Sequence, residues 1–65
     1  MSDLEDVLND VLVHADIEVT DNNMQHLFSN IPYGVVNEAE EWGWRDTEIF
    51  AQVYRIAEDL FYGND

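Results

Sequence analysis

The stretch Ser2-Asp3-Leu4-Glu5-Asp6-Val7-Leu8-Asn9-Asp10-Val11-Leu12-Val13-His14-Ala15 decides the fold class. Leu4, Val7, Leu8, Val11, Leu12 and Ala15 recur at the three- and four-residue spacing that lines one face of an α-helix. Asp3, Glu5, Asp6, Asn9 and Asp10 fall on the other side. Ser2 and Glu5 stand at the capping-box spacing, in which each side chain satisfies a free backbone N–H at the helix start. Asp3, Glu5 and Asp6 also favour the positive end of the helix dipole. The pattern predicts a helix over about residues 3–15.

The same signals recur downstream. Asp16-Ile17-Glu18-Val19 alternates polar and apolar, as an extended connector does. Thr20 is the expected N-cap of a second helix, with Met24, Leu27, Phe28 and Ile31 as its apolar stripe. Pro32 disfavours helical geometry at Ile31, so this helix should stop near Asn30. Pro32 then suits the first position of a third helix, facing inward through Val35, Val36, Ala39 and Trp42 and capped by Gly43. Asp46 or Thr47 can cap the last helix, whose stripe is Ile49, Phe50, Val53, Tyr54, Ala57, Leu60 and Phe61, with Ile56 at its edge and Gly63 at its end. The expected fold is all-α: one domain over residues 1–65, a small bundle of three to four short helices. Three would result if the segments around Pro32 merged into one kinked helix.

A chain of 65 residues has room for one small core and none for a deep catalytic cleft. It exposes about 11,000 Å² unfolded and about 4,300 Å² folded. Fifteen acidic residues against two basic ones give a net charge of −13. Two carboxylates about 6 Å apart in water repel by roughly 0.7 kcal/mol before screening. A dozen such charges therefore cost a sizeable part of a stability of about 5 kcal/mol. Solubility alone asks for a net charge of magnitude about 2–8. The excess excludes unaided nucleic-acid binding and disfavours anionic membranes. Hydrophobic residues at 46% exclude a disordered acidic tail. With no cysteine, no long apolar run and an acidic start, the expected location is the cytoplasm, that of a host cell if a phage encodes the chain.

The chemistry-bearing patterns fall away one by one. Asp16, Glu18, Thr20 and Asn22 have the alternate spacing that opens a calcium loop, but the sixth and twelfth positions hold Asp21 and Leu27 instead of glycine and glutamate. His14 and His26 lie on different helices, outside any His-Glu-x-x-His pattern, so no metal or other cofactor is expected. Ser29 lacks the glycines of a nucleophile elbow. It also lacks the Asp-Ser-Leu context of an acyl carrier protein, which is likewise small, acidic and four-helical. Adjacent carboxylates such as Glu40 and Glu41 sit on a solvated face, without a pocket to separate their pKa values. No catalytic residue is assigned, and the chain is not expected to be an enzyme.

What remains is the acid itself. Side chains three or four apart on a helix sit ~5–6 Å from one another, and such an array can occupy a groove built for phosphates. The residues expected to meet a partner are Asp3, Glu5, Asp6, Asp10, Glu38, Glu40, Glu41, Glu58 and Asp59, with Trp44 as the aromatic contact. Trp44, Tyr33 and Tyr62 fall outside the apolar stripes, and for Trp44 a staple over the bundle end is the competing role. Arg55 can pair with Asp59, and Arg45 with nearby acids. Gly34-Val35-Val36-Asn37-Glu38-Ala39-Glu40-Glu41-Trp42 resembles the last helix of colicin DNase immunity proteins, which are small acidic four-helix inhibitors. Their tyrosine-rich binding motif is absent here, so the likeness is one of physical type, not of family.

The expectation is an acidic binding protein, of the kind phages or mobile elements use against host enzymes, that covers the basic surface of a nucleic-acid-binding partner. The alternative is a structural or regulatory helical subunit, paired with itself or, like an antitoxin or immunity protein, with a basic protein. A halophilic surface would also explain the absence of lysine, though six asparagines fit it less well.

Overall fold

The computed structural model describes residues 3–63. Four helices follow one another: α1 Asp3–His14, α2 Asp21–Ser29, α3 Tyr33–Trp42 and α4 Thr47–Tyr62. No strand occurs among the described residues. The fold is all-α. The Ser2 half of the expected capping box lies outside the described residues.

Local chemistry accounts for most of the boundaries. Thr20 caps α2, its Oγ1 accepting the Asn23 N–H at 3.0 Å. Asp46 caps α4, accepting from the backbone N–H of Glu48 at 2.9 Å and of Ile49 at 3.4 Å. Such a cap contributes ~1 kcal/mol. Gly63 ends α4 in the left-handed region at φ 61°. Pro32 sits one position earlier than expected. It is the N-cap of α3, with ψ 148°, because the Val35 and Val36 N–H groups bond back to its carbonyl.

Where an extended connector is expected, α1 ends in a defined hydrogen-bonded closure. Ile17 N–H bonds the Leu12 carbonyl and Asp16 N–H bonds that of Val13, which is the paired closure of a Schellman motif. The motif needs a left-handed residue, and Asp16 supplies it at φ 63°. Ile17 then packs back against the core.

Helix α4 is the hub: it packs against α1, α2 and α3, while α1 also meets α2. The core is Val7, Leu8, Val11 and Leu12 of α1, Leu27, Ile31, Ala39, Trp44, and Ile49, Val53 and Ala57 of α4. Phe50, Tyr54, Leu60 and Phe61 are partly buried against it.

Trp42 leaves its expected place in the core, and of the two roles open to Trp44 the structure takes the staple. Trp42 is 69% exposed, whereas Trp44 is 9% exposed and belongs to the core. Two causes combine. Among the described residues α3 packs against α4 alone, so its stripe has one neighbour and the end of that stripe stays uncovered. Gly43 then leaves the helix at φ 102°, a conformation that suits glycine, and the chain turns back with Trp44 over the core. Trp44 is the staple, and its burial removes it as an exposed contact.

Candidate functional site

Among the described residues no charged or polar side chain is buried, so their acids all lie on the surface, with only Asp10 and Asp46 half-covered. The molecule is an apolar core wrapped in carboxylates. Asp3, Glu5, Asp6 and Asp10 occupy α1; Glu38, Glu40 and Glu41 occupy α3; Glu58 and Asp59 lie in the second half of α4. The first two sets stand on helices that do not touch each other, and α4 runs between them. The acid is therefore divided among separate helices.

Three local arrangements emerge that spacing alone did not reveal. First, Arg45, in the turn after α3, reaches Asp10 at 3.2 Å and Asp6 at 3.9 Å. The partners are about half exposed, where such pairs contribute about 0–1 kcal/mol. The effect is mainly one of placement, since it draws the α3–α4 turn toward α1 and offsets part of that patch.

Second, Glu38, Trp42, Asp46, Glu48 and Ile49 line a hollow between α3 and the start of α4. An exposed indole thus stands among three carboxylates. Trp42 was expected in the core, and Asp46 as a helix cap.

Third, α1 and α2 leave a groove of about 500 Å³ between them. Leu4 and Leu8 line it from α1, Met24 and Phe28 from α2, and Glu5, Asp21 and Gln25 complete its lining. Phe28 is 40% exposed there, although its stripe was expected to face the core. Local spacing could not expose this, because the groove results from how two stripes meet.

The Glu58 carboxylate beside Tyr54 raises its phenol above the usual 10.0, with partial burial adding in the same direction. The histidines serve packing. His14 stacks edge-on with Phe50 and donates from Nδ1 to the Asp10 carbonyl at 2.8 Å. His26 stacks edge-on with Phe61. Among the described residues no three His, Cys, Asp or Glu side chains converge as a metal would require. No described helix is long and apolar enough to cross a membrane.

Comparison with protein-family models, with curated proteins and with solved structures returns no match in any of the three.

Proposed function

We propose that this chain is a non-enzymatic inhibitor that covers the basic, nucleic-acid-binding surface of another macromolecule, of the kind phages and mobile elements direct against host enzymes or defence complexes. The observation that supports it is the placement of the acid. Asp3, Asp6 and Asp10 on α1 and Glu38 and Glu41 on α3 recur at the three- or four-residue spacing that sets side chains ~5–6 Å apart, and a small apolar core bears the cost of their repulsion. Fixed acid arrays of this sort steer a basic partner and replace the counter-charge of phosphates. The test is capture of partners from bacterial lysate at about 50 and about 500 mM salt, followed by identification. A nucleic-acid-binding partner held at low salt and released at high salt is the expected result. No specific partner at either salt would leave the charge to solvation.

A second reading is a structural or regulatory helical subunit. The apolar floor of the α1–α2 groove favours it, because burial of that floor would add affinity that salt does not weaken. A partner that resists about 500 mM salt would point to this reading.

A further inference from the structure

We infer that the α1–α2 groove is a docking site for one basic amphipathic helix of a partner protein. The inference rests on the reading that the partner is basic, and it adds where and in what form that partner is held.

The groove has an apolar floor and acidic margins. Leu4 and Leu8 lie one turn apart on α1, and Met24 and Phe28 lie one turn apart on α2. Two pairs at this spacing match the apolar side chains that a helix presents at positions i and i+4. Glu5 stands on the α1 side and Asp21 on the α2 side, both exposed, so each margin offers a carboxylate. A ligand with leucine-like residues on one face and lysine or arginine flanking them satisfies floor and margins together.

Charge selects among the occupants. A second copy of this chain would bring another −13 and its own acidic margins against these. An acidic or neutral helix would bury the same apolar area without meeting the carboxylates. Phe28, partly exposed at the groove, supplies the hydrophobic contact, since a half-exposed aromatic is the kind of anchor that interfaces bury.

The experiment titrates the full chain, followed by backbone amide NMR, with three synthetic peptides of about 14 residues, a length near the limit for helix formation in water. One is an amphipathic leucine–lysine peptide. The second is a scramble of the same composition without helical spacing. The third replaces lysine by glutamine. The expected result is that the amphipathic basic peptide perturbs amides around Leu4, Leu8, Met24 and Phe28 and binds about tenfold more tightly than either control. Phe28→Ala and the double variant Glu5→Gln/Asp21→Asn should each weaken it about fivefold or more, with the four-helix circular dichroism retained. Met24→Ala gives a second apolar test should Phe28→Ala disturb the fold.

Equal binding of the scramble, with perturbations spread over α3 and α4, would overturn the groove and leave the basic-partner reading standing. Equal binding of the glutamine peptide in the groove would overturn the basic-helix assignment. Concentration-dependent shifts in the same residues without peptide, together with a dimer in sedimentation, would overturn it in favour of a second copy. Failure of both lysine peptides to bind at low salt would overturn the inference, while the reading beneath it is decided separately by the salt dependence of partner capture.

Discussion

The Tyr62 hydroxyl donates to the Ala15 carbonyl, with the Asp16 carbonyl at 3.2 Å, and so ties the last turn of α4 to the end of α1. These carbonyls lie at the Schellman closure, beyond the helical bonds of α1. Although 58% of Tyr62 is exposed, its polar tip is engaged. Tyr62→Phe keeps the ring and removes the bond. The expected cost is about 0.5–1.5 kcal/mol. For a domain of this size that corresponds to a fall in Tm of roughly 4–8 °C per kcal/mol. Thermal unfolding checks it, and an unchanged midpoint would show that the hydroxyl is solvated at no loss.

Asp16 is the residue at which backbone and charge both work against the fold. Its φ of 63° lies where glycine and asparagine are favoured, and its carboxylate sits at the negative end of the α1 dipole. Asp16→Asn should stabilise by a few tenths to about 1 kcal/mol through removal of the charge. Asp16→Gly, which also relieves the left-handed conformation, should stabilise by about 1 kcal/mol. Urea unfolding of both variants checks the combined effect. A destabilised glycine variant would contradict the conformational argument.

The tryptophans make opposite predictions. Trp44→Ala should cost about 3–5 kcal/mol, comparable with the whole stability of a small domain, and leave most molecules unfolded. Trp42→Ala should change stability by about 0.5 kcal/mol or less. In the wild type background, Trp42→Phe should leave a fluorescence signal shielded from acrylamide, and Trp44→Phe one that is readily quenched. Equal quenching in the two variants would overturn the assignment of Trp44 as the staple.

The pair Tyr54–Glu58 predicts alkaline sensitivity. A phenol whose folded pKa is raised above 10.0 binds more protons folded than unfolded over the interval between the two values. Its contribution is therefore present below about pH 10 and lost as pH rises through the folded value. Glu58→Gln should lower the Tyr54 midpoint toward 10.0, as read by tyrosinate absorbance with Tyr54→Phe as the reference. A midpoint indifferent to Glu58 would assign the shift to burial instead.

The helices were legible in the sequence because their signals are local. Thr20, Asp46, Gly43 and Gly63 each act within a turn of themselves, and all four end or begin helices as expected. The exposure of Trp42 was not legible, although the staple role of Trp44 was. By spacing Trp42 continues the stripe of Val35 and Ala39, and only the absence of a second neighbour for α3 exposes it. The left-handed turn at Asp16 was hidden for a different reason, since aspartate is a weaker marker of that conformation than glycine. Arg45 with Asp10, 35 positions apart, and the groove between Leu4 and Phe28 depend on how helices dock, to which spacing along one helix is blind.

The most direct test of the central claim is a competition titration of the captured partner, with this chain and the partner's nucleic acid as rivals, repeated from about 50 to about 500 mM salt. The account predicts mutually exclusive binding and an affinity for the chain that falls steeply as salt rises. A ternary complex with nucleic acid, or an affinity unchanged across that range, would contradict it.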